Sequence, residues 1–244
     1  MTGPSAVVLL PVGAPERSCA AYARLLGAGT GDGAAHQWQV GTTRLVLCAG
    51  DSQPRLLVPA AELVGHGADG FAAAQKLLRR RSCAVDPVAT VGGAPTAVAA
   101  DLPVGLIDAA ALDHVPAVDG DLVALDHVVM ASGSRDRALA LFAAVLGFDF
   151  RLEQKLDLPK LGTVHQLFLR GAGTIVEVLV DGPGDAPIGL WGLAWASGDL
   201  DATHARLAAA GVALSPIRSG NKRGTRVFTV RDDDLVVPTI VIGA

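Results

Sequence analysis

The sequence predicts an α+β fold built from four strand–helix–strand–strand modules, βαβββ in type, joined in two pairs. Three observations carry that prediction. Helices that end in glycine and are followed by β-forming runs recur: Gly147 and Gly211 close two of them 64 residues apart (211 − 147), and Gly27 closes a third in the same order. The strands do not alternate singly with helices, as the βαβαβα winding of a doubly wound sheet requires. No GxGxxG stands between a strand and a helix, so a dinucleotide-binding turn has no support in the sequence.

Composition narrows the class. A chain of 244 residues can bury the core of one large domain or two modest ones. Half of it is hydrophobic and only 4% aromatic, which suits small side chains packed between strands and helices. The net charge of −4, with no basic stripe, argues against nucleic acid as a partner. Arg79, Arg80 and Arg81 read as the solvated, dipole-favoured end of a helix. Cys19, Cys48 and Cys83 are odd in number and lack CxxC spacing, so neither a disulfide framework nor a zinc cluster is indicated. A reducing cytoplasm is the expected setting. AVVLLPV near the start has no basic residue before it and reads as a first strand, not a signal peptide. No uncharged apolar run reaches the roughly 20 residues of a membrane helix, so no membrane partner is expected.

Taken in order, Ala6 to Val12 is a short β-forming run closed by Pro11 and Gly13. Pro15 and Glu16 suit the first turn of a helix, Cys19, Tyr22 and Leu26 share its face, and 36–50 hold two β-like runs about a Gly-Thr turn. RLLVPAAEL opens a second unit, whose helix DGFAAAQKLLRRR carries Phe71, Ala74 and Leu78 on one side. The stretch 113–124, rich in Asp, Pro and Gly at its start, is the expected linker between a domain of residues 1–112 and one of 125–244; its Asp113 and His114 read as linker polarity. In the third unit LDHVVMA is a strand, Ser134 the N-cap, Leu139, Phe142 and Leu146 the apolar stripe, and TVHQLFLRG and TIVEVLV a hairpin. The fourth begins at GLWGLAWAS, has Asp199 as helix cap, and ends in GTRVFTVRD and LVVPTIVIG.

Two residues stand out chemically. Period-two alternation puts Leu125, His127, Val129 and Ala131 on one face, and Ile175, Glu177 and Leu179 on one face of another strand. A glutamate amid IVEVLV is costly to bury without a partner, and His127 or a metal ion would supply one. Imidazole with carboxylate suits Zn, Fe, Mn, Co or Ni, and two ligands do not choose among them. The alternative is a solvent-facing Glu177 and a satisfied core histidine. His165 is a candidate third ligand or base. Lys222, Arg223 and Arg226, close together around Gly220 and Gly224, suit a carboxylate or phosphate, or form a solvated turn. Trp191 and Trp195 alternate with Gly192 and Ala194, a bulky face against one small enough to leave a cavity.

LDHVVM, the helix ending LFAAVLGF, TIVEVLV and GLAWASGDLDATHARLAAAGV together resemble the vicinal oxygen chelate superfamily, which includes glyoxalase I, extradiol dioxygenases, methylmalonyl-CoA epimerase and the fosfomycin and bleomycin resistance proteins. The resemblance covers 125–244, and residues 1–112 follow it in outline. It implies two paired glyoxalase-like domains whose sheets enclose a divalent metal, with His127 and Glu177 at ligand positions of the third module. The fourth module has Gly192, and Thr239 or Ile240, where ligands often stand, and the first has Val7 and Val46. The function it implies is a metal-assisted lyase or isomerase acting on a small oxygenated, acidic substrate, with His127, Glu177 and His165 on the metal and Arg226, Lys222, Arg223, Trp191 and Trp195 on the substrate. The alternative is a non-catalytic protein that sequesters a small molecule or antibiotic against Trp191, Trp195 and Phe228. A third reading makes the degenerate N-terminal half a structural or dimerisation module, and a homodimer is the expected assembly.

Overall fold

The computed structural model describes residues 4–31, 35–65, 67, 69–158 and 162–244. The first module runs β1 (Ala6–Val12), α1 (Pro15–Leu26), β2 (Thr30–Gly31), β3 (Ala35–Val40) and β4 (Thr43–Ala49). The second runs β5 (Arg55–Pro59), a short α2 (Ala60–Val64), α3 (Gly70–Arg80), β6 (Asp86–Val91), β7 (Ala94–Val98) and β8 (Val104–Ile107). The third has β9 (Leu122–Ser132), α4 (Arg135–Leu139) prolonged by a π turn (Ala140–Val145), β10 (Asp149–Leu158), β11 (Gly162–Gly171) and β12 (Thr174–Val180). The fourth has β13 (Gly189–Ser197), α5 (Leu200–Ala209), β14 (Arg218–Ser219), β15 (Arg226–Val230) and β16 (Thr239–Gly243).

Each pair of modules makes one eight-stranded sheet, in the order β2-β3-β4-β1-β5-β8-β7-β6 and β10-β11-β12-β9-β13-β16-β15-β14. The two orders match strand for strand. In each, the first strands of two modules lie antiparallel at the centre, and each first strand runs parallel to the last strand of its own module. This is the expected α+β arrangement of four paired modules. Gly27, Gly147 and Gly211 end their helices at φ of 97°, 73° and 78°, where a side chain would be strained. Ser134 and Asp199 cap α4 and α5, accepting from the amides of Arg137 (3.4 Å) and Ala202 (3.0 Å).

One face of each sheet packs on helices. Val8, Leu10, Leu56, Val128, Met130, Val176, Val178, Trp195 and Phe228 form a single core with Tyr22 and Leu25 of α1, Leu78 of α3, Phe142 of the π turn and Leu207 of α5. Each fully buried side chain of this kind contributes about 1.5–3 kcal/mol. The helices of the two halves meet. The Arg206 guanidinium on α5 donates to the Arg24 and Leu25 carbonyls of α1 at 2.8 and 3.1 Å, and Arg81 after α3 donates to the Val145 carbonyl at 2.6 Å. Among the described residues the opposite face of each sheet carries no α-helix; on the first sheet only the single 3-10 turn Ala109–Ala111 packs there. There the chemistry lies.

Two local irregularities depart from simple periodicity. The π turn widens the helix locally, with Leu146 N–H bonding Leu141 O at 3.0 Å, so Leu141 joins the expected stripe, in which Phe142 and Leu146 are core residues and Leu139 packs against them. In β9, Leu125 pairs with Trp195 and His127 with Ala194, leaving Asp126 as a bulged residue. Leu125 therefore joins the core with Val128 and Met130, while His127 and Val129 take the helix-free face; strict alternation from Leu125 fails at this point.

Candidate functional site

The helix-free face of the second sheet brings His127 and Glu177 together. Val176 and Val178 belong to the helix-side core, so alternation turns Ile175, Glu177 and Leu179 the other way. Glu177 lies opposite Val129 on the adjacent parallel strand. His127 Nε2 is 2.9 Å from Glu177 Oε2, and only 10% and 11% of the two side chains is exposed.

The other ring nitrogen, Nδ1, is 2.8 Å from Asp126 Oδ2. Two neighbours in a regular strand point to opposite faces; the bulge is what lets Asp126 reach the ring. On the far side, the Gln166 amide donates to Glu177 Oε1, and the Gln154 amide donates to Gln166 Oε1. A continuous polar chain, Gln154–Gln166–Glu177–His127–Asp126, thus crosses four strands of an otherwise apolar surface.

Electrostatics puts a charge at its centre. Burial works against protonation of His127, but the hydrogen bonds its ring donates to Asp126 and Glu177, with their negative charges, outweigh it and raise the pKa from 6.5 to about 9. Both nitrogens are then donors, and the ring is an imidazolium at neutral pH. The same hydrogen bond, helped by the charges of His127 and Lys222, holds Asp126 below the ordinary carboxylate range against the opposing effect of burial.

The remaining expected residues fare differently. His165 is not brought to the site. It shares parity on β11 with Leu167 and Leu169, which are core residues, and its Nδ1 meets Glu153 at 3.1 Å on the helix side, where Arg135 also pairs with Glu153 at 2.7 Å. Its neighbour Gln166 takes the inward place. Trp195 is fully buried in the helix-side core, and Phe228 likewise, set edge-on to His204, so neither offers a surface to a ligand. Arg226 follows Phe228 in parity and pairs with Asp201 of α5 at 2.8 Å. Trp191 is 48% exposed at a second bulge of β13. Lys222 acts electrostatically on Asp126, and Arg223 is exposed.

Sequence reasoning missed Asp126, Gln166 and Gln154. The parity of Leu167 and Leu169 was the available signal for Gln166: two core leucines on one side of β11 force Gln166 and Phe168 to the other. Asp126 had no such signal, because bulges are not readable from apolar alternation.

A metal ion fits this donor set poorly. Among the described residues no three His, Cys, Asp or Glu side chains gather as metal ligands. His127 and Glu177 are already closed on one another by a hydrogen bond, and the neighbouring positions of the fourth module on this face, Ala194 and Ile240, carry no donor. Metal sites of this chemistry take three or four protein ligands. No step is therefore routed through a metal.

Two eight-stranded sheets of paired βαβββ modules, one bearing a buried imidazole–carboxylate pair, define the class of fold. Residues 126–229, which span most of the third and fourth modules, match the family model of the glyoxalase/bleomycin resistance protein/dioxygenase superfamily. Among solved structures the chain is similar to a Mn(II)-bound glyoxalase from Novosphingobium aromaticivorans, with 17% identity over 99% of this chain and 82% of that one and a TM-score of 0.70. It is also similar to a mutant of 4-hydroxymandelate synthase from Streptomyces coelicolor, with 14% identity, 99% and 92% covered and a TM-score of 0.65. At these identities the likeness is one of fold. No curated protein matches the sequence. Among the described residues, no helix is long and apolar enough to cross a membrane.

Proposed function

We propose that the chain is a glyoxalase-type enzyme of the lyase or isomerase class that takes a small oxygenated substrate on the helix-free face of its second sheet. The observation that carries this reading is the 2.9 Å contact between His127 Nε2 and Glu177 Oε2, both nearly buried. Glu177 is the base. Each of its oxygens accepts one hydrogen bond, from His127 or Gln166, and keeps a second lone pair for a proton next to a carbonyl or hydroxyl carbon. The His127 imidazolium is the group that stabilises negative charge as it develops on the substrate oxygen, and the apolar surroundings strengthen that interaction. The electrostatic influence of Lys222 on Asp126 supports it as the cation that reads an acidic group on the substrate.

The reading needs no metal, which sets it apart from the metal-assisted version implied by the family. The test is solvent-deuterium exchange followed by proton NMR on a panel of small 2-hydroxy and 2-oxo acids, using protein purified without chelator and analysed for metal. Exchange that disappears in Glu177→Gln, from protein without stoichiometric metal, is the expected result. Stoichiometric metal lost in both His127→Ala and Glu177→Ala overturns the metal-free assignment.

A second reading has support of its own. Gly192, Ala194 and Ile240 present no functional group beside the pair, as a sequestering protein would require. Saturable binding of a panel member without exchange in the wild type would establish it in place of the enzyme.

A further inference from the structure

The helix-free face of the first sheet carries the opposite charge. Leu9 on β1 lies opposite both Val46 on β4 and Arg55 on β5; in the second sheet Val129 lies opposite Glu177 and Gly192. Val46 therefore replaces the carboxylate, and Arg55 stands where the second sheet has glycine. Arg44, two residues before Val46 on β4, shares the same face. Around these arginines lie Val7, Leu9, Val46, Leu57 and Ile107, an apolar cluster separate from the helix-side core.

Both guanidiniums are buried, Arg44 at 4% and Arg55 at 6% exposed. Arg44 donates to Gln39 and Gln37 at 2.8 Å each and to the Asp113 carbonyl at 3.3 Å. Arg55 donates to the Gln53 carbonyl at 2.9 Å and, at the limit of 3.5 Å, to that of Ala100; its Nε is buried with no partner among the described residues. Neither has a carboxylate within 4 Å among the described residues. Burial depresses both pKa values, with Asp113 opposing this at Arg44 from further away, yet an arginine stays charged. Uncompensated buried cations are costly, and an anion is what would balance them. Ala109 and Leu112, in the segment between the sheets, pack over the same apolar wall.

We propose that the helix-free face of the first sheet binds a small carboxylate with an apolar body, its carboxylate held at Arg55 with Arg44 as the second cation and its body against Leu9, Val46 and Leu57. The Ala109–Leu112 segment covers it from solvent. The proposal is independent of the reading given to His127 and Glu177.

Isothermal titration of the full chain with benzoate as probe tests it. Saturable binding with Kd at about 1 mM or tighter is expected, weakened about tenfold or more by Arg55→Met and by Arg44→Met, since each removes a charged hydrogen bond. Glu177→Gln leaves it unchanged. Arg55→Met is expected to keep or raise the melting temperature, because it removes an unpaired buried charge, and that separates lost binding from lost fold. Should Arg55→Met not fold, Arg55→Lys keeps the charge and loses the fork, and it is expected to bind about tenfold more weakly. The proposal is overturned by no benzoate binding in the wild type, by wild-type affinity in Arg55→Met or Arg55→Lys, or by loss of binding in Glu177→Gln.

Discussion

Asp126 and His127 are neighbours in sequence and hydrogen-bonded partners in space, 2.8 Å apart between Oδ2 and Nδ1, because a bulge in β9 turns both toward the same imidazole. A regular strand would have sent the aspartate to the other side. The bulge makes His127 the centre of a carboxylate–imidazolium–carboxylate row, and the first predictions follow from that.

His127 has a folded-state pKa raised from 6.5 to about 9. Its contribution to stability is therefore fully present below pH 6.5 and is lost as pH rises through about 9. At about 1.4 kcal/mol per pKa unit, the loss is on the order of 3 kcal/mol. Denaturant unfolding of metal-free protein at pH 6 and pH 10 measures it, and His127→Gln should flatten the difference. An equal loss in His127→Gln would assign the dependence to another group.

Asp126→Asn should bring the His127 titration down from about 9 toward its ordinary value, since one of the two hydrogen-bonded carboxylates is gone. An NMR titration of the His127 ring protons reads this directly. A midpoint unchanged from wild type would show that Glu177 alone holds the charge.

Removing one member of the buried pair leaves the other unsatisfied. His127→Ala or Glu177→Ala is expected to cost about 3 kcal/mol, and the double variant less than the sum of the two. A double-mutant cycle by chemical denaturation gives the coupling. Simple additivity would argue that the pair is not coupled in solution.

Trp195 and Arg226 were expected at the substrate and lie elsewhere. Trp195→Ala should destabilise by about 3–5 kcal/mol through the cavity it leaves in the helix-side core. Arg226→Ala should not measurably shift the unfolding midpoint, because its pair with Asp201 is solvent-exposed. Neither should alter ligand binding at the second sheet beyond what altered stability explains. A specific loss of affinity in stable Arg226→Ala would return that residue to the site.

The sequence by itself determined the module order, the helix caps at Ser134 and Asp199, the glycine stops at Gly27, Gly147 and Gly211, and the shared face of Ile175, Glu177 and Leu179 on β12. These are local matters: propensity, capping and period-two alternation act over a few residues and leave their mark there. Only the tertiary structure decided which face of β11 looks at Glu177, and so exchanged His165 for Gln166. It also decided that Trp195 and Arg226 belong to the helix side, and that a bulge would turn Asp126 to His127. A strand's alternation tells which residues share a face, but which face is covered by helices depends on register with neighbouring strands and on a single inserted residue, and those are set by packing across the sheet.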